Sequence, residues 1–256
     1  MFRIITFNIR FDNPEDEDNS WIFRRDAVVR VVQRHAPALV GTQEGKWHQL
    51  MYLQEHLPAF GLHAPNRIID DTSQYPTLFY CKERFRVKEG GEWWLSETPT
   101  IHLSKNWDSA YPRMMSYALL SDDYTNRDLM VVVTHLDHKG DYARWQQAKI
   151  IAEFTQSHNE PMIVMGDFND RPGSSVHQLL TSPRSGLYDT WYLIGRNESE
   201  QSMTHHGFQG IPQKTRMDWI LVSTHFNVLD AFIVRDSSKG HYPSDHFPYG
   251  VDVEWK

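Results

Sequence analysis

A single cysteine, Cys81, stands in 256 residues, so no intramolecular disulfide can form and no multi-cysteine zinc site exists. A reducing compartment fits that scarcity best. Long apolar runs are also missing. Nowhere do about 18 apolar residues follow one another, and a strand-like stretch begins almost at once with Arg3 inside it. No membrane span or export signal is read, and the expectation is a cytoplasmic protein, a monomer being favoured with the oligomeric state left open. Positive charge is scarce too: 26 Lys and Arg stand against 33 Asp and Glu, a formal net charge of −7 with 14 histidines. Clinging to nucleic acid by bulk electrostatics needs basic surface that releases phosphate counterions, so that mode is disfavoured, while a local basic rim stays open. No Pro, Gly or Ser-rich linker divides the chain, and its 40% hydrophobic content can fill a core, so residues 1–256 read as one domain.

Periodicity supplies the elements. Phe2 to Phe11 reads as a strand, and Arg24 to His35 as a helix with Ala27, Val28, Val31 and Val32 on one face, stopped by Pro37. Ala38 to Thr42 reads as a second buried strand ending at Gln43-Glu44, and Trp47 to Leu57 as a helix. In the middle third, Thr77 to Cys81, Phe85 to Leu95, Ser116 to Leu120 and Leu129 to Thr134 read as successive strands, which suggests antiparallel pairing. A helix is expected from Asp141 to about Ser157, capped by the Asp141 carboxylate and burying Trp145, Ala148, Ile151 and Ala152. Pro161 to Met165 forms a short apolar strand and Ser175 to Leu180 a helix; Met217 to Val222, Phe226 to Val234 and Phe247 to Val253 close the sheets. The result is an α/β domain with mixed sheets.

What stands out is where polar clusters fall. Phe7-Asn8, Gln43-Glu44, Gly166-Asp167-Phe168-Asn169 and Ser244-Asp245-His246 each follow or precede an apolar run. Buried strand ends rarely carry amides, carboxylates and imidazoles unless these meet, because unpaired buried polar groups cost free energy. Asp167 and Asn169, two apart, point the same way and can orient a water and hold substrate oxygens; the plain alternative is a turn capped by Asp and Asn. Glu44 suits a hard divalent cation, with Asn8 and Asp245 offering further oxygens; the plain alternative is a glutamate favoured at a helix N-terminus. Three histidines are candidates for chemistry, His135, His206 and His246. Asp218 is the best placed carboxylate to orient His246. His35, His48, His56, His63, His102 and His158 lack convergent partners and are assigned no function.

Asn8, Gln43-Glu44, Arg113, Thr134-His135-Leu136-Asp137-His138, Gly166-Asp167-Phe168-Asn169, Met217-Asp218-Trp219-Ile220 and Ser244-Asp245-His246 occur in this order. The set resembles the endonuclease/exonuclease/phosphatase superfamily over nearly the whole chain. The nearest likeness is to a bacterial branch, carried by Phe7-Asn8-Ile9-Arg10-Phe11-Asp12-Asn13, Trp93-Trp94-Leu95-Ser96-Glu97-Thr98-Pro99 and His135 to Gly140. The resemblance implies a four-layer α/β/β/α sandwich with two mixed, mainly antiparallel central sheets. It also implies a phosphoesterase dependent on Mg²⁺ or Mn²⁺, with Glu44, Asn8 and Asp245 at the metal. Asp167 would orient or deprotonate the attacking water, Asn169 would hold it and a phosphate oxygen, and Asp218 would support His246. His246 and His135 would donate to phosphate oxygens, and Arg113 would add a bidentate donor. His206 is expected at the substrate rim.

The chain departs from that branch in two places. Between Asn66 and Tyr80, where the branch carries a glycine-rich stretch with a Gly-Glu pair, this chain has Ser73-Gln74-Tyr75-Pro76-Thr77. A substrate-facing carboxylate is then expected to be missing. In Thr204-His205-His206-Gly207-Phe208 a histidine replaces the aromatic that usually precedes the second one. The substrate is a phosphate ester, nucleic acid or small molecule, and the acidic balance favours a small or single-stranded one. Trp93, Trp94 and Trp107 could stack on it or simply pack. Two rivals are weighed. One is a zinc hydrolase using His135, Asp137 and His138, which lacks a further histidine where Val133 sits. The other is a catalytically silent domain that binds phosphorylated ligands.

Overall fold

The computed structural model describes residues 1–70, 73–238 and 240–256. Its first half builds β1 (Phe2–Asn8), α1 (Trp21–His35), β2 (Leu39–Gly45), α2 (Trp47–His56), β3 (Phe60–His63) and β4 (Tyr75–Cys81). A meander of β5 (Phe85–Trp94), β6 (Met114–Asp122) and β7 (Arg127–His135) follows. The second half adds α3 (Asp141–Gln156), β8 (Met162–Asp167), α4 (Ser175–Leu180), β9 (Leu187–Asp189), α5 (Thr190–Leu193), β10 (Asp218–Ser223), β11 (Phe226–Ile233) and β12 (Tyr249–Trp255).

The strands form two six-stranded sheets, ordered β11-β12-β1-β2-β4-β3 and β5-β6-β7-β8-β10-β9. In each sheet one adjacent pair is parallel, β1 with β2 and β7 with β8, and the rest are antiparallel. Each parallel pair is joined through a helix, α1 or α3, which supplies the crossover that parallel strands require. Alternate residues explain the layering. Ile4, Leu39, Leu78, Val131, Val133, Ile163 and Met165 fill the space between the sheets. Ile5, Phe7, Val40 and Phe79 face outward under Val28, Val32, Leu50 and Leu53 of α1 and α2. Val132, Val164 and Leu221 do the same under Ala148, Ile151, Val176 and Leu180 of α3 and α4. These are the four layers of an α/β/β/α sandwich. The sheets meet so closely that a Cβ on Gly41 would come within 2.8 Å of Met165 Sδ.

Several expectations are corrected. β4 does not join the meander: it pairs with β2 and β3 in the first sheet, because the turn at Lys82 to Arg84 carries the chain across to the second. β3, β9 and α5 were not expected; at three or four residues each they are too short to show a period. Helix α3 is not capped by Asp141, whose carboxylate instead accepts from Arg144 within the first turn. The cap comes from another loop, where Asp108 Oδ1 accepts from Ala143 N at 2.6 Å. The Gly166-Asp167-Phe168-Asn169 segment does not turn at its glycine. Gly166 stays in β8, opposite Trp219, and its missing side chain avoids Thr134 O, which a Cβ would approach to 2.1 Å; the chain turns at Asn169, φ 50°. His63 lies buried in β3, where its Nε2 meets Tyr117 O at 2.8 Å. Among the described residues no helix is long and apolar enough to cross a membrane.

Candidate active site

Both parallel pairs end at the same edge of the sandwich. Asn8 and Glu44 lie at the end of β1 and β2, and His135 and Asp167 close β7 and β8 in register with one another. Asp218 opens β10 antiparallel to β8, directly opposite Asp167. Asp245 and His246 precede β12, which runs antiparallel to β1 and so starts where β1 stops. Residues far apart in sequence therefore converge because six strand ends share one rim.

Asn8 joins the two sheets: its Nδ2 donates to Glu44 Oε1 at 3.1 Å and to Asp167 Oδ2 at 3.0 Å. Glu44, held at a positive φ of 64°, also accepts from Phe11 N at 3.1 Å. The Arg10 guanidinium lies 4.0 Å from Glu44 and 3.9 Å from Asp245, so one cation reaches both carboxylates. Arg24, buried on α1, donates to the carbonyls of Ile9, Arg10 and Pro243, clamping the end of β1 to the segment that carries Asp245. Sequence reading had assigned no function to either arginine; Arg10 was visible only as part of a motif, and Arg24 only as a helix start.

On the other side, His246 Nδ1 donates to Asp218 Oδ2 at 2.9 Å, turning Nε2 toward Asp167 Oδ2, 3.9 Å away. Burial opposes a charge on His246, but Asp218 overrides it and raises the imidazole to about 10. Asp167 is pushed up to about 7 by burial and by Asp218, against the opposing pull of His246 and of donors from Asn169 N and Asn8. His135 is drawn well below its usual range by burial and by Arg113. Arg113 Nη1 lies 3.0 Å from His135 Nδ1, and a guanidinium can only donate. His135 is therefore neutral, and donors approach both of its ring nitrogens, Arg113 at Nδ1 and the Asn169 amide at Nε2. Nε2 faces the site, 3.5 Å from Asp167 Oδ2 and 3.0 Å from Asn169 Nδ2. Asn169 in turn donates to Leu136 O at 2.9 Å.

Arg113 sits behind the histidines. Its second terminal nitrogen lies 3.2 Å from His138 Nδ1, and its Nε is 3.8 Å from Asp137. Asp137 accepts from Ser109 Oγ and from the backbone N–H groups of Ala110, Tyr111, Lys139 and Gly140. It fastens two loops together. The guanidinium thus occupies the Nδ1 side of both histidines that the zinc reading needs. The groups of three ligand atoms close enough to share an ion are His205-Asp245-His246 and Asp167-Asp218-His246 among the described residues.

His206 is placed away from the rim. Its ring is fully buried, stacks on Phe247 at 3.9 Å, and accepts from Gly210 N through Nδ1. The imidazole beside His246 belongs to His205, with ring centres 5.1 Å apart. Trp93 packs against Tyr117 and Phe154, whereas Trp94 lines a cavity. Of the divergent stretch between Asn66 and Tyr80, residues 71 and 72 lie outside the described residues.

The fold has counterparts. An endonuclease/exonuclease/phosphatase protein from Bacteroides vulgatus is 29% identical, with a TM-score of 0.89 covering 100% of this chain and 99% of its own. A Bacteroides thetaiotaomicron protein titled mannosyl-6-phosphatase is 27% identical, with a TM-score of 0.89 over 100% of both chains. The human Nocturnin catalytic domain shares the fold at 20% identity, TM-score 0.76, over 100% of this chain and 93% of its own. Among curated proteins no match was found. The model of the Endonuclease/Exonuclease/phosphatase family matches residues 5–246, a span that begins in β1 and ends on His246. With the two sheets and that match in agreement, the chain belongs to the endonuclease/exonuclease/phosphatase family.

Proposed function

We propose that this chain hydrolyses a phosphate ester by in-line attack of a water, with a divalent cation, Mg²⁺ or Mn²⁺, at Glu44, Asp245 and Asn8. The observation that carries the reading is the packing of His135 and of His246, held by Asp218, against the Asp167 carboxylate, which Asn8 links to Glu44. The donor set fits a hard cation: Glu44 and Asp245 offer oxygens, and both already face a positive group, Arg10. Asn8 fits once its amide is turned over, since its Oδ1 accepts from Arg10 N at 3.0 Å and its Nδ2 faces the carboxylates. When bound, such a cation supplies charge neutralisation for the phosphoryl oxygens.

The chain's own groups do the rest. Asp167, raised to about 7, accepts the proton of the attacking water, and Asn169 positions that water. His246 is charged through Asp218, and His135 presents its Nε2–H; both donate to oxygens on which negative charge grows. Arg113, by donating to His135 Nδ1, favours the tautomer with the proton on Nε2. Formal charge of −7 and the relative titled a mannosyl-6-phosphatase both favour a small phosphate ester over duplex DNA.

The test is a screen of metal-dependent hydrolysis over short DNA and RNA, nucleotides, inositol phosphates, sugar phosphates and phospholipid head groups. Glu44→Gln and His246→Ala are expected to lose roughly a hundredfold or more on whichever ester is cut. Full cleavage by both variants would refute the assignment.

A further inference from the structure

Beside the rim a cavity of about 230 Å³ opens between the start of β4 and the end of β5. Strand register fixes its place. Tyr75 on one wall pairs with Gly45, the residue after Glu44; Trp94 on the other pairs with Met114, the residue after Arg113. Leu95 N also donates to Arg113 O at 2.6 Å. A group esterified to a phosphate held at the rim therefore has this cavity as its neighbour.

The lining has a definite chemistry. Glu92 and Trp94, two apart on β5, share one face of the strand. Arg67 directs both Nε and Nη2 to Glu92 Oε1, donates Nη1 to Thr77 Oγ1 at 2.8 Å, and lies over the Tyr75 ring at 4.6 Å. The Glu92 carboxylate is thereby fixed, with Oε2 taken by no donor among the described residues. Trp94 is steadied edge-on by His102, ring centres 5.4 Å apart, and leaves an apolar wall. The volume lies below that of pockets that hold drug-sized ligands, which suits a single ring. Arg67 is already engaged by Glu92 and Thr77 and leaves a phosphate backbone no free guanidinium in this space, whereas hydroxyl groups find an acceptor in Oε2.

We propose that this cavity receives the polyhydroxylated ring of a sugar phosphate, with Glu92 accepting from ring hydroxyls and Trp94 packing against the C–H face. The proposal rests on the phosphoesterase reading and names its substrate class. It is tested by measuring kcat and KM of the full chain, Glu92→Gln and Trp94→Ala on mannose 6-phosphate, glucose 6-phosphate, adenosine monophosphate and p-nitrophenyl phosphate at saturating Mg²⁺. The unsubstituted chain is expected to prefer the hexose phosphates. In each variant the ratio of kcat/KM for hexose phosphate over p-nitrophenyl phosphate is expected to fall about tenfold or more, chiefly through KM. An unchanged ratio in both variants, or a preference for the nucleotide, overturns the proposal. Thermal unfolding checks that each variant folds; should Glu92→Gln unfold by leaving Arg67 unpaired, Trp94→Ala carries the test. If no ester at all is turned over, the phosphoesterase reading fails by itself, and calorimetric binding of mannose 6-phosphate then decides the cavity: binding weakened by Trp94→Ala supports it, and no binding overturns it.

Discussion

Around Asp167 the protonation states of neighbouring residues are set against one another. Asp167 is raised to about 7, His246 is raised to about 10 by Asp218, and His135 is kept neutral by burial and Arg113. The sign of the pH dependence follows. A base must be ionised, so kcat/KM rises as pH passes through neutrality and Asp167 loses its proton; a charged donor must stay protonated, so the rate falls as pH approaches 10. Asp218→Asn removes the carboxylate that raises both His246 and Asp167, so both the alkaline and the acid limb are expected to move to lower pH. A full pH-rate profile of that variant measures it, and an alkaline limb that stays in place contradicts the assignment. At this scale the sequence was legible wherever a partner could be named, as with Asp218 and His246. It was not legible at His205 and His206. Adjacent side chains point apart, and only the pairing of that segment with His246 and Gln213 decides which ring meets the site. Arg10 and Arg24 were hidden for another reason: each acts through contacts with loops whose position no local pattern encodes.

Among elements, those long enough to display a period were legible to within a few residues, and the mixed character of the sheets was read, but not which strands pair in parallel. What escaped was the sheet to which β4 belongs, since an antiparallel neighbour in sequence need not be a neighbour in space. The cap of α3 escaped as well, because Asp108 reaches it from a loop more than thirty positions away. Asp108→Ala leaves the N-terminal N–H groups of α3 without that acceptor and is expected to cost about 1 kcal/mol of stability. Denaturant unfolding should show a lowered midpoint with an unchanged slope; an unchanged midpoint contradicts the capping role. Gly41 is the second element-scale test. Gly41→Ala forces Met165 and Val133 to move between the sheets and is expected to cost roughly 1–3 kcal/mol. Circular-dichroism melts would reveal that loss, and an unaltered transition would show that the sheets have room to spare.

In the whole molecule, the end opposite the site is tied by charge. Arg84, at the crossing from β4 to β5, donates to both oxygens of buried Asp122 at 3.1 and 2.7 Å and to Met1 O at 2.9 Å, while Trp255 Nε1 donates to Asp122 at 2.8 Å. Burial would raise Asp122, yet these donors hold it below the usual carboxylate range. A carboxylate with a depressed folded-state pKa contributes stability above its ordinary value, and that contribution is lost as pH falls through the folded value. Asp122→Asn is therefore expected to flatten the fall of Tm between about pH 5 and pH 2, which thermal melts across that range would show; an equally steep fall assigns acid sensitivity elsewhere. The two-sheet sandwich was legible only through resemblance, since periodicity reports which faces are apolar but not how two sheets close on each other.

All of this rests on carboxylates and imidazoles from six strand ends working with a hard cation on a phosphate ester. The most direct measurement is hydrolysis of the ester found by screening, with Mg²⁺ present, after chelation, and with Glu44→Gln. Turnover that requires the cation and falls roughly a hundredfold or more in the variant is the predicted result. Turnover that survives both chelation and the substitution contradicts it.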